Sequence, residues 1–150
     1  MRYPTPDKYI ASQVDVFVEQ ALADRRIKQP ALVLTAIPSE FSDKADVLDG
    51  VTTSGKSFAI DHDYLLHIVD IHGGNREIQR GQIPVSGPDL AVIATHLHQA
   101  KAIQPGNPPR AKNGAFRIKA RLEMDPYLID IVLEVRRHML VPVTVWKRRT

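Results

Sequence analysis

The chain has 150 residues, 43% of them hydrophobic and 25% charged, with a formal net charge of +3. That length suffices for one domain with its own core, and the composition is ordinary for a soluble globular protein. The absence of cysteine excludes disulfides and thiolate metal sites. No apolar run approaches the roughly 18 residues of a membrane span, and Met1-Arg-Tyr-Pro-Thr-Pro6 does not open a signal peptide, so no membrane role is expected.

The small net charge hides a split. Residues 1–100 carry nine Lys/Arg against thirteen Asp/Glu, a net of −4; residues 101–150 carry eleven against four, a net of +7. Such asymmetry points to a polyanion met by the C-terminal third, the alternative being a solvated basic face.

In chain order, Thr5-Pro6-Asp7 reads as a helix start, with Thr5 as N-cap and Pro6 at the first helical position. Ile10, Val14, Phe17, Val18 and Leu22 recur at helical spacing, which carries the helix to about Arg26. Ala31–Ile37 is a short apolar run closed by Pro38, most simply a strand. Residues 39–56 read as loop with a helical turn. Within them begins Gly50-Val-Thr-Thr-Ser-Gly55-Lys56-Ser57, which fits the phosphate-loop pattern G-x-x-x-x-G-K-[ST]. That loop needs a buried strand before it and a helix N-terminus after it. Here acidic residues precede it and Asp61 opens a helix of its own, so the string reads as chance.

From Asp61 the helix carries Tyr64, Leu65, Ile68 and Val69 inward and stops at Gly73-Gly74. A polar crossing enters Ile83-Pro84-Val85, and Ser86-Gly-Pro88-Asp89 starts a helix with Leu90, Ile93, Ala94 and Leu97 on one face. Pro105–Pro109 reads as an irregular loop. Three strands follow, over Ala115–Ala120, Tyr127–Val135 and Met139–Trp146, joined by turns short enough to force antiparallel pairing. Helices gathered before a small C-terminal antiparallel sheet define an α+β domain. The expected organisation is one domain over 1–150, with residues 1–56 as an extension and 57–150 as the core.

The chemistry concentrates in His67–Pro84, where two histidines, Arg76, Arg80, Glu77 and Gln82 surround a glycine pair. A helix ending at His72 presents an imidazole near neutral pH beside arginines, equipped to move a proton close to a phosphate. His67 has a plainer reading as a half-buried histidine, and His72 as a cation complementing the helix dipole. His62, His67 and His72 are five residues apart, so neighbours lie about 140° around the helix from each other and do not converge on a metal. No metal and no cofactor are expected.

On the sheet, alternation sorts the side chains. Arg117, Lys119 and Arg121 share a face; so do Asp130, Val132, Glu134 and Arg136; and Leu140, Pro142, Thr144 and Trp146 oppose Val141, Val143 and Val145. One face is therefore core, and the other offers cations, Glu134, Thr144 and an indole able to stack on a base.

The succession His67…His72-Gly73-Gly74…Arg80-Gly81-Gln82-Ile83-Pro84, a short helix, then Glu134-Val135-Arg136 and Thr144-Val145-Trp146 resembles the barnase–EndoU–colicin–RelE-like nuclease superfamily. The likeness covers about residues 57–148 and is greatest to the branch found in phage head-morphogenesis proteins and bacterial polymorphic toxins. It implies helices on a small antiparallel sheet, metal-independent cleavage of RNA, and a site at His72 (with His67 as second candidate), Arg80, Lys119, Arg136 and Thr144. A first helix that this core does not require, and the phosphate-loop string, depart from the pattern.

The expectation is thus a metal-independent endoribonuclease, the effector module of a larger secreted or phage-delivered protein acting in the cytoplasm of a target bacterium. Its partners would be RNA and a neutralising immunity protein, and a monomer is expected. His72 would transfer protons; Arg80, Lys119 and Arg136 would hold the phosphate; Thr144 would bond a phosphate oxygen. Glu134 would be a second acid or base, or orient an arginine, and Gln82, Arg117 and Trp146 would bind substrate. The alternatives are a non-catalytic RNA-binding module on the same face and, more remotely, a nucleotide-binding protein using Gly55-Lys56-Ser57.

Overall fold

A computed structural model describes residues 3–72 and 83–150, and it is an α+β fold. Helix α1 (Lys8–Ala23) buries Val14, Phe17 and Ala21 along one stripe. Its N-cap is Asp7, not Thr5: the Asp7 carboxylate accepts the Ile10 N–H at 3.0 Å, which leaves Pro6 outside the helix. The helix also stops short of Arg26, because Asp24 turns extended.

Strand β1 (Leu32–Ala36), helix α2 (Ser39–Ala45) and strand β2 (Ser57–Ile60) follow. β1 pairs antiparallel with β2, and β2 pairs parallel with the last strand, so residues 1–56 contribute to the main sheet rather than standing apart from it. The phosphate-loop string ends in β2 instead of a helix. The Lys56 ammonium donates to the Arg136 carbonyl at 2.8 Å, and burial pushes it below the ordinary lysine value. No helix N-terminus is there to complete a phosphate cradle.

Helix α3 (His62–His72) is capped by Asp61, whose carboxylate accepts the Tyr64 N–H at 3.0 Å. It buries Leu65 and Ile68. The expected stop at Gly73-Gly74 lies outside the described residues. Helix α4 (Gly87–His96) opens with a reciprocal capping box between Ser86 and Asp89, and Leu90, Ile93 and Ala94 are buried.

Strand β3 (Lys101–Arg110) occupies the stretch expected to be irregular. Its three prolines are tolerated because β3 is an edge strand, where a missing N–H costs no ladder bond. Strands β4 (Phe116–Met124), β5 (Tyr127–Val135) and β6 (Met139–Arg149) form the expected antiparallel meander. Among the described residues the sheet has six strands in the order β1-β2-β6-β5-β4-β3. It is mixed, since the β2–β6 pair is parallel.

One face of the meander, with Ile118, Leu122, Ile129, Ile131, Leu133 and Val145, joins α1 and α4 in a single core. The other face is arranged in rows by the register: Arg117–Glu134–Val141, Lys119–Val132–Thr144 and Arg121–Asp130–Trp146. A bulge at Val143 corrects the simple alternation. Leu133 opposes Pro142 while Val132 opposes Thr144. Leu140 and Pro142 therefore share the core face, and Val141 joins Thr144 and Trp146 opposite. Nor is the polar face fully open. β2 pairs with β6 only at Met139 and Leu140, and α3 packs against β6 as well, covering that end of the face.

Candidate functional site

Because α3 packs against β6, its outward side chains overhang the polar rows. Asp63, Tyr64 and His67 line a recess of about 440 Å³ together with Arg117 and Thr144. A second recess, of about 280 Å³, continues across the strands over Val132 to Asn107 and Pro108 of β3, bounded by Lys119 and Trp146. A third runs from Tyr64 and Arg117 to Arg110 and Lys112 at the β3–β4 hairpin. Arg117 lines all three, so they form one cleft with a guanidinium at its centre.

Beneath the cleft lies Glu134, whose side chain is wholly buried. It accepts a hydrogen bond from the Tyr64 hydroxyl at 2.8 Å and one from Arg136 Nε at 3.0 Å. Arg117 Nη2 stands 3.7 Å from the same carboxylate and 3.5 Å from the Tyr64 oxygen. Burying a carboxylate without partners is costly, and here Arg117, Arg136 and the Tyr64 hydroxyl offset that cost. Arg117 Nε, also buried, has no acceptor among the described residues.

Arg136 is committed elsewhere. Its Nη1 reaches Asp61 at 3.0 Å, and its guanidinium sits 5.5 Å from the Tyr64 ring centroid. Burial pulls Arg136 down, but Asp61 and Glu134 outweigh it and hold the guanidinium above its ordinary value. On Asp61 burial pushes upward; the Tyr64 amide and Arg136 outweigh it and hold the carboxyl below the ordinary range. The pair fixes the start of α3, and with it the height of Tyr64 and His67 over the sheet.

Of the residues singled out from sequence, the structure brings His67, Arg117, Lys119, Thr144 and Trp146 to one cleft. His67 is exposed on α3 rather than half-buried in the core. Glu134 and Arg136 form the layer beneath and beside that cleft. The His72 side chain, Arg80 and Gln82 lie outside the described residues. The remaining described histidines stay away: His62 is buried with Nε2 3.0 Å from the Arg25 carbonyl, and His96 Nδ1 sits 2.8 Å from the Val92 carbonyl. Among the described residues no three His, Asp or Glu side chains group as a metal site would require.

Sequence reasoning missed Tyr64, counted as a core residue, and Asn107, Pro108 and Arg110, counted as loop. For Tyr64 a signal existed: a tyrosine facing the interior needs a partner for its hydroxyl, and Glu134 was one of the acids on the polar face able to supply it. For the β3 residues there was none. No family model matches this chain, and no curated protein or solved structure does either. The superfamily resemblance therefore stands on its short motifs alone.

Proposed function

We propose that the protein is a metal-independent endoribonuclease whose active site is the cleft between α3 and the polar face of β4–β6. The observation that carries this reading is the convergence on one cleft of an imidazole, two basic side chains, two hydroxyls and an indole. An imidazole titrates near neutral pH and suits proton transfer. Arg117 and Lys119 supply charge for a phosphate, and Tyr64 and Thr144 supply hydroxyl donors. In the proposed reaction His67 removes the proton of a ribose 2′-hydroxyl, and the oxygen attacks the adjacent phosphorus. The bond to the 5′-oxygen breaks, and that oxygen takes up a proton. The products are a 2′,3′-cyclic phosphate and a 5′-hydroxyl. Cations and hydroxyls fixed around the phosphorane supply the electrostatic part, often the larger one. Glu134 acts through Arg117 and Tyr64 as a positioning residue.

The test is incubation of the purified protein with RNA in EDTA, followed by analysis of the fragment ends. Cyclic phosphate ends that vanish in His67→Ala support the reading. Binding of RNA with no cleavage would leave only a binding module, and loss of activity in EDTA would replace the metal-independent route. His72→Ala, assayed alongside, decides between the two histidines. In this proposal the chain serves as the effector module of a larger delivered protein, held harmless before release by a neutralising partner.

A further inference from the structure

We propose that the recess between β3 and Trp146 is an adenine-binding subsite for single-stranded RNA. This deepens the reading above and rests on RNA occupying the cleft.

Three features define the ligand. The first is an apolar surface for a flat ring: Val132 forms the floor, Pro108 stands on the β3 side, and the Trp146 indole bounds the β6 side. Base–aromatic stacking of this kind accepts any base, so a further group must discriminate. The second is charge. Lys119 and Arg117 line the recess, and among the described residues no carboxylate does. A phosphate attached to the bound nucleoside is welcome there, whereas a cationic ligand, or a cytosine read by an acid through its amino group, is not.

The third is Asn107, the one carboxamide residue lining the recess among the described residues. Its position is set by a close approach of backbones. A Cβ on Gly106 would lie 3.0 Å from Arg117 Cβ and 3.2 Å from the Arg117 carbonyl oxygen, so glycine lets β3 come this near to β4 without displacing Arg117 by a few tenths of an ångström. The next residue then overhangs the recess. A carboxamide offers one donor and one acceptor side by side, which matches the N7 acceptor and N6 amino donor of adenine. The cations that would otherwise favour guanine are employed differently: Arg117 leans on Glu134 and Tyr64, and Lys119 shares its row with Thr144 at the border of the α3 recess, where the phosphate sits.

The chain contains a single tryptophan, so its intrinsic fluorescence reports directly on Trp146. The experiment titrates the whole protein in EDTA with 2′-O-methyl pentaribonucleotides, which cannot be cut through the 2′-oxygen, identical except for a central A, G, C or U. The adenine oligonucleotide should quench Trp146 at a concentration about tenfold lower than the others, the discrimination expected of one good bidentate pair. Asn107→Ala should retain quenching and lose the preference. Asn107 is exposed, and the emission maximum of the free variant checks that the surroundings of Trp146 are intact. No quenching, equal quenching by all four, or an adenine preference that survives Asn107→Ala overturns the proposal. The ribonuclease reading fails separately. Adenine-selective quenching without cleavage of ordinary RNA removes the enzyme and keeps the subsite, and cleavage without base preference does the reverse.

Discussion

Two buried acids on opposite faces of the same sheet invite comparison. Glu134 lies on the polar face; Asp89, 2% exposed, meets Lys147 on the core face. Each accepts from a tyrosine and neutralises a cation: Glu134 holds Tyr64 and Arg136, and Asp89 holds Tyr3 at 2.6 Å and Lys147 at 2.9 Å. What differs is where the networks lead. Around Asp89 everything turns inward. Lys147 Nζ lies 4.8 Å and 4.4 Å from the ring centroids of Tyr3 and Tyr127, the other Asp89 oxygen closes the α4 capping box, and burial followed by Asp89 raises the Tyr3 hydroxyl well above its ordinary value. Around Glu134 the outer members, Tyr64 and Arg117, line a cleft. The same hardware thus locks an N-terminal segment in one place and aims reactive groups in the other.

The largest effects should come from removing either acid. Asp89→Asn strands the buried Lys147, and breaking such a pair costs about 3–5 kcal/mol. Glu134→Gln leaves Arg117 without its counter-charge while Arg136 keeps Asp61, so its cost is smaller. Urea midpoints should fall in both variants. Cleavage by the folded fraction should separate them, with Glu134→Gln losing most activity and Asp89→Asn keeping it within about twofold. Equal losses of activity would erase the distinction drawn between the two networks.

That distinction was only partly legible in the sequence. The meander was, because Phe116-Arg-Ile-Lys-Ala-Arg-Leu alternates cleanly and places Arg117 and Lys119 without ambiguity. The phase of β6 was not. Leu140-Val-Pro-Val-Thr-Val is apolar at nearly every position, so a bulge at Val143 leaves no trace in the pattern and Pro142 is assigned to the wrong face. β3 was hidden because prolines argue against a strand in general but not against an edge. The N-terminal 56 residues read as an extension because no local pattern shows that β1 pairs with β2 across a long loop and that β2 then runs parallel to β6. His67 looked half-buried because its neighbours Leu66 and Ile68 are apolar. Its exposure follows from α3 lying beside β6, a tertiary fact that no local window contains.

Next in size are the tyrosines. Tyr64→Phe and Tyr3→Phe each remove a hydrogen bond to a charged acceptor, worth about 1.5–3 kcal/mol. Thermal melts should show similar losses for both. Cleavage should fall about tenfold in Tyr64→Phe alone, since only that hydroxyl faces the cleft. A Tyr64→Phe enzyme of full activity would reduce Tyr64 to a strut like Tyr3.

Acid should weaken the cleft-side network through Asp61. Its carboxyl is held below the ordinary value of 3.8, by the Tyr64 amide and Arg136 against the opposing push of burial. A depressed folded-state value means the unfolded chain binds the proton more readily. The stabilisation is therefore fully present above about pH 4 and is lost as pH falls through the folded value. Asp46, which accepts from Thr53 and Ser54, is depressed despite its own burial and adds to the same limb. Stability measured between pH 6 and pH 2 should fall most steeply at the acid end, and Asp61→Asn should flatten that limb while lowering stability at neutral pH. An unchanged acid limb would show that Asp61 contributes no proton linkage.

The smallest effect separates two cations on the polar face itself. Lys119 makes no ion pair among the described residues, whereas Arg121 Nε is held by Asp130 at 2.8 Å in the adjoining row. A cation that neutralises a nucleic-acid phosphate displaces a counterion, and for single strands each such contact contributes about 0.7 to the slope of log affinity against log salt. A cation already neutralised by a carboxylate displaces none. Lys119→Ala should therefore lower the salt slope for oligonucleotide binding by about that amount, and weaken binding alike for all sequences. Removing Arg121 alone would leave Asp130 to repel the strand, so the proper counterpart is the double substitution Arg121→Gln with Asp130→Asn, which deletes the pair and gives up only the looser contact of Asp130 with the half-exposed Arg148 at 3.8 Å. That variant should keep the parental slope. If its slope drops as far as that of Lys119→Ala, the strand runs over the Arg121 row rather than over Lys119 and Thr144, and the path assigned to the RNA must move by one row.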